Sequence, residues 1–310
     1  MSGDHEHGAS RDADKKYLAI ALGLLVTFMS VEVVVGIIAS SLVLLSDAGH
    51  MLSDAGALGA ALIAMRLAAR SAGGIMTYGL KRSEILAAQI NGITLLLLSV
   101  WFYYEGVRRL IEPPEVAGGL VLIVGLIGIV VNLVDVWLLS KANRQSLNVE
   151  GAFQHILTDL YSFIATTVAG SIIYFTGSFN RVDALAAMTV ATVMLRAGYK
   201  LVRDSGRIFL EAAPKGLDPE EIGTAMAGQP GVAEVRDFHL WEISSELPAL
   251  SAHVLVERDG DCRARRRELE QLLEERFDIH HTTLQVDRVG EEEDGEARGM
   301  RFPASRGETT

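Results

Sequence analysis

Along the chain, apolar residues repeatedly run for about the 20 positions that a helix needs to cross a bilayer. They do so near Tyr17 to Ala39, Leu42 to Met65, Glu84 to Val107, Val116 to Ser140, Ala152 to Phe175 and Val182 to Leu201. These runs predict six membrane-spanning helices. The first is too long for a removable signal peptide and lacks a small-residue cleavage site, so it is expected to stay as a helix. After Val202 the pattern changes. "LDPEEIGTAMAGQPG" opens with Asp218 as a helix cap and Pro219 at the first helical position, and stops near Gly228 and Pro230. "VAEVRDFHLWEIS", "ALSAHVLVE" and "TTLQVDRV" alternate as strands, with the amphipathic helix "CRARRRELEQLLEERF" between the second and third. The order α-β-β-α-β predicts a small soluble α+β domain. Beyond Gly290 the acidic segment carries too little apolar content to fold. The expected organisation is an N-terminal tail over 1–16, a transmembrane domain over 17–208, a soluble domain over 209–289 and a disordered acidic tail over 290–310.

Charge orients this arrangement. Arg11, Lys15 and Lys16 precede the first span, Arg66, Arg70, Lys81 and Arg82 fill the second loop, Lys141 and Arg144 the fourth, and Lys200, Arg203 and Arg207 follow the sixth. The opposite side offers Arg181 and the pair Arg108 and Arg109, offset by Glu105, Glu112 and Glu115. The lysine and arginine bias therefore puts both termini in the cytoplasm. A formal net charge of −11 argues against a nucleic-acid partner. Cys262 is the single cysteine, so no intrachain disulfide forms.

Chemistry enters with "LLSDAGHMLSDAG", where the second apolar run carries Asp47, His50 and Asp54. A charged side chain at the bilayer centre costs roughly 2.5–3.5 kcal/mol on insertion scales, which points such groups at a cavity, a partner or an ion. His50 and Asp54 are four residues apart and share one helix face. The fifth run repeats the spacing in "FQHILTDLYS", with His155 and Asp159. Face to face, the two helices would supply two nitrogens and two oxygens, a set suited to tetrahedral Zn²⁺. Cd²⁺ and Co²⁺ fit the same donors, whereas Mn²⁺ and Mg²⁺ favour all-oxygen octahedra. Asp47 either orients His50, lines an ion path or simply ends a helix turn. Glu32, Asn91, Asn132 and Asp135 would be costly against lipid and are expected to face the bundle interior, pairing between helices or lining an ion route.

"SSLVLLSDAGHMLSDAGAL", "YGLKRSEILAAQING" and "AFQHILTDLYS" resemble the second, third and fifth helices of the cation diffusion facilitator family, and "RDFHLWEISSELPALSAHVLVE" resembles its cytoplasmic domain. The likeness spans roughly Tyr17 to Arg288. It implies a homodimeric membrane exporter of divalent metal working by alternating access against protons, located in a bacterial inner membrane. His50, Asp54, His155 and Asp159 match the transport site of the family's zinc branch; the manganese and iron branches tend to carry an aspartate where His50 stands. Histidine titrates near about 6.5, so protons and metal compete for its lone pair at physiological pH. The resemblance also implies an ion pair between Arg82 and Glu84, and a ferredoxin-like cytoplasmic domain that dimerises and binds regulatory metal, with His239, His253, His281 and Asp287 as candidate ligands. Departures stand beside it. Gly73, Met76 and Leu80 occupy the places of a second metal site in the loop after span two, Gln285 stands where some members have histidine, and "SKANRQSLNVEG" lacks the histidine-rich loop. His5 and His7 sit in the N-terminal tail.

Two other function classes share parts of this pattern. A metalloenzyme needs an open coordination position and a general base; four protein ligands fill the shell, and no His-Glu-x-x-His run occurs. A membrane metal sensor without transport uses the same ligands, and flux separates it from a carrier.

Overall fold

The computed structural model describes residues 22–68, 73–140, 147–244, 247–290 and 299–304, without the side chains of 54, 57–66, 68, 135, 138–140, 147–158 and 161. The chain divides into two units, one built from residues 1–63 and 87–202 and the other from 64–86 and 203–310.

Long helices make the first unit: α1 (Leu22–Ile38), α2 (Leu42–Ala68), α3 (Ser83–Ile111), α4 (Gly118–Ser140), α5 (Leu147–Thr176) and α6 (Arg181–Phe209). Several outlast the apolar runs that predict them: α3 continues through Arg108 and Arg109, and α6 through Arg203 and Arg207. The apolar run measures the part that faces lipid, while charged flanks are good helix formers and carry the same helix onward. Both α3 and α6 are long and apolar enough to cross a membrane. Ile37, Leu97, Trp101, Ile127 and Val130 point outward, an apolar exterior that suits hydrocarbon rather than water.

Small residues let these helices touch, since apolar side chains gain nothing from leaving lipid and close backbone approach supplies the contact instead. A β-carbon on Gly170 of α5 would lie 2.5 Å from the Leu122 nitrogen of α4, and one on Gly125 would lie 3.0 Å from the Thr167 nitrogen. On the other pair, one on Gly198 of α6 would lie 2.9 Å from the Gly92 carbonyl of α3.

The α1–α2 turn is gripped by two other helices. Ser40 adopts a left-handed backbone (φ 53°), and its carbonyl accepts from Arg109 Nη1 of α3. Asp183, buried in the first turn of α6, accepts from Ser41 Oγ at 2.5 Å and the Leu42 amide at 2.6 Å. It thereby caps α2 from another helix, meeting orphan N–H groups that no local side chain reaches. Arg109 lies 3.9 Å from the same carboxylate and donates to Glu105 at 3.0 Å. Asp183→Ala would leave the first amides of α2 without their cap, and is expected to destabilise the bundle by about 0.5–2 kcal/mol. Thermal unfolding of the purified protein measures it; an unchanged midpoint would show that the clamp is not structural.

The second unit carries a four-stranded sheet in the order β3-β2-β1-β4. β1 (Val232–Ser244) runs antiparallel to β2 (Leu247–Val256) and to β4 (Met300–Pro303), while β3 (His281–Arg288) lies parallel to β2. Helices α7 (Pro219–Ala227) and α8 (Cys262–Phe277) bury Ile222, Met226, Leu269 and Leu273 in one core with Val235, Phe238, Leu250 and Val254 of the sheet. Asp218 accepts from the Glu220 amide as expected of its capping position, and Asp261 does the same for α8 through the amides of Arg263 and Ala264. These amide bonds hold the Asp261 carboxyl below its usual range.

β4 corrects the expectation that everything past Gly290 stays unstructured. Phe302 packs edge-on against Phe238 at 5.4 Å and fills the space left by Gly223, where any β-carbon would strike its ring. Four residues with two apolar side chains make no local pattern; only pairing with a strand some 60 positions away supplies the order.

Candidate functional site

His50 and Asp159 come from α2 and α5, and both are buried. The structure sets His50 Nε2 at 3.4 Å from Asp159 Oδ1. Two ligand atoms on one tetrahedral zinc, with bonds of about 2.0 Å, stand about 3.3 Å apart. The pair is therefore spaced as neighbouring corners of such a shell. Asp54 and His155 sit on the same two helices, one turn from His50 and Asp159 respectively; their side chains lie outside the described set. Glu32 of α1, Asp47 of α2 and Asn132 of α4 are buried in the same bundle, with Asp47 beside Glu32. Asp135 follows Asn132 on α4, with its side chain outside the described set. Asn91 is a pairing residue: its Oδ1 accepts a 2.9 Å bond from Ser53 and ties α2 to α3.

Two groups of sequence candidates divide differently from expectation. Arg82 has Glu211 Oε1, from the turn that follows α6, 3.5 Å from its guanidinium. A charge at a helix start reaches whatever the tertiary fold sets beside it, and sequence spacing is silent on that.

The soluble histidines do not gather into one cluster. His253 of β2 and Asp287 of β3 meet, with 2.8 Å between Nε2 and Oδ2. His281 opens β3 beside Ala249, six residues from Asp287, about 20 Å along a strand, and packs edge-on against Tyr78 at 5.7 Å. His239 is exposed on β1 and lines an open cleft of about 500 Å³ with Ala213, Pro219, Leu240 and Met300. Among the described residues no three His, Cys, Asp or Glu side chains converge as a metal cluster. Sequence reading also passed over Arg236, whose Nε donates to His253 Nδ1 at 3.2 Å. Register across β1 and β2 puts the two side by side, and nothing in the spacing of either strand announces it.

Comparison with known proteins adds the lineage. Residues 18–210 match the model of the cation efflux transmembrane domain, and residues 214–289 that of the cation efflux protein cytoplasmic domain. The chain is 37% identical over 286 residues to a cadmium, cobalt and zinc/H(+)-K(+) antiporter of Bacillus subtilis, covering 91% of each protein. It is 35% identical to the metal cation efflux system protein CzcD of Cupriavidus metallidurans, covering 92% of this chain and 89% of that one. With the zinc transporter ZitB of Escherichia coli it shares 33% identity over 93% of each. Among solved structures, the metal-bound C-terminal domain of the CzcD transporter from Cupriavidus metallidurans matches 23% of this chain and 99% of its own, at 30% identity and a TM-score of 0.22.

Proposed function

The chain belongs to the cation efflux family, and from that membership we propose that it exports a divalent metal ion, zinc foremost, in exchange for protons. The observation that carries the reading is the 3.4 Å approach of His50 to Asp159 inside the bundle. Asp54 and His155, one turn along the same helices, complete two nitrogens and two oxygens around the ion. That donor set favours zinc, cadmium and cobalt over manganese and magnesium, and those are the metals in the name of the Bacillus relative. The imidazoles of His50 and His155 bind either a proton or the metal, which couples the two flows.

In this reading all six long helices cross the membrane and the positive loops hold both termini in the cytoplasm. Movement is then outward across a bacterial inner membrane, and the soluble domain, of the family's dimerising type, joins two copies. Its α-β-β-α-β order supports a ferredoxin-like fold extended by β4. Glu32, Asp47 and Asn132 line the approach to the ligands from α1, α2 and α4.

Purified protein in proteoliposomes tests the proposal. With a proton gradient imposed, zinc, cadmium and cobalt are expected to enter, and manganese to enter at least about tenfold more slowly, a difference of about 1.4 kcal/mol between transition states. Binding of zinc without flux would replace the carrier with a sensor. Zinc flux indifferent to the gradient would remove the proton from the cycle.

A further inference from the structure

Family membership leads one to expect a regulatory metal in the cytoplasmic domain, and the residues around His253 do not fit one. Arginine carries donors and no acceptor, and stays protonated at any physiological pH. Its Nε is 3.2 Å from His253 Nδ1, so that ring nitrogen accepts and holds no proton. The neutral ring then carries its hydrogen on Nε2, which is 2.8 Å from Asp287 Oδ2 and donates to it. Gln285 Nε2 donates to the same oxygen, also at 2.8 Å. Each ring nitrogen is thus committed. A metal-bound histidine has the opposite pattern, with one nitrogen on the ion and the other donating to an acceptor. To coordinate at Nε2, His253 would have to move its proton to Nδ1, where a guanidinium N–H already points at it.

A cation on β1, a neutral bridge on β2 and an anion on β3 cross three neighbouring strands of the sheet. We propose that the Arg236 guanidinium takes the place of a metal ion here. The Arg236–His253–Asp287 relay ties the strands without metal, so this domain does not sense cytoplasmic zinc through these residues.

The relay is independent of the transport reading, and its test needs no flux. Full-length protein in nanodiscs is dialysed against Co²⁺ and the metal per chain counted for wild type, Asp287→Asn and His253→Ala. The counts are expected to agree. In the same preparations, hydrogen exchange of β1, β2 and β3 in wild type is expected to be equal in saturating Zn²⁺ and in chelator, and Arg236→Ala to lose about tenfold protection in both. Loss of one bound metal per chain in Asp287→Asn overturns the proposal, and so does protection of wild-type strands that rises with Zn²⁺. Asp287→Asn keeps the shape of the side chain, so the count stays decisive even where His253→Ala folds poorly. A defect in the membrane site lowers the count in all three proteins together and is thereby told apart.

Discussion

Asp159→Ala is expected to abolish zinc flux while leaving a folded, monodisperse protein. Loss of an outer-shell partner alone costs a metal site 10- to 100-fold in affinity or activity, and Asp159 stands 3.4 Å from His50 at the centre of the proposed site; at least about 100-fold loss of flux follows. Stability should move the other way. A carboxylate inside a membrane bundle is a cost of roughly 2.5–3.5 kcal/mol that bound cation offsets. With zinc absent, the alanine variant should therefore melt at or above the wild-type temperature; with zinc present, wild type should gain and the variant should not. Flux into proteoliposomes and thermal unfolding with and without zinc check both halves. A variant that still transports would move the site elsewhere. One that merely unfolds would make Asp159 structural.

Gly170→Val is expected to break the bundle rather than the chemistry. Its β-carbon would sit 2.5 Å from the Leu122 nitrogen and 2.8 Å from the Leu122 α-carbon, both backbone atoms of α4. No rotamer of a neighbour can relieve that contact, so α4 and α5 must separate. Overpacking a well-packed core costs about 1–3 kcal/mol when side chains can give, and a helix backbone cannot; the loss should reach or exceed the upper figure. α5 also carries Asp159, so metal binding and flux should fall together with the melting temperature. Gly206→Ala serves as the control. Its β-carbon meets nothing within 4 Å, and inside helix α6 the change should stabilise by up to about 1 kcal/mol. Equal melting temperatures for the two variants would show that the α4–α5 contact is looser than described.

Much of the transmembrane unit was legible because lipid imposes a one-dimensional rule. A helix that must hide its backbone groups in hydrocarbon announces itself as a run of apolar residues, and any ionisable side chain within the run stands out. His50 and Asp159 were found in that way, from two runs repeating one spacing. The ends of α3 and α6 were not, because charged residues extend a helix as readily as apolar ones. In the soluble unit, caps and alternation marked α7, α8 and three strands. β4 escaped, since Met300 and Phe302 have meaning only against Phe238 and Gly223.

Sequence by itself determined the class of this protein: a polytopic helical unit, a small α/β unit after it, and a His-x-x-x-Asp spacing repeated in two apolar runs where charge is expensive. Only the tertiary structure decided which groups meet. It set His50 beside Asp159, brought Asp183 across from α6 to cap α2, and laid Arg236 against His253 while holding His281 at the far end of its strand. The reason is physical. Burial and periodicity are properties of a segment and can be read along the chain, whereas the partner of a polar group depends on register and helix crossing, which backbone packing fixes without leaving a mark in local sequence.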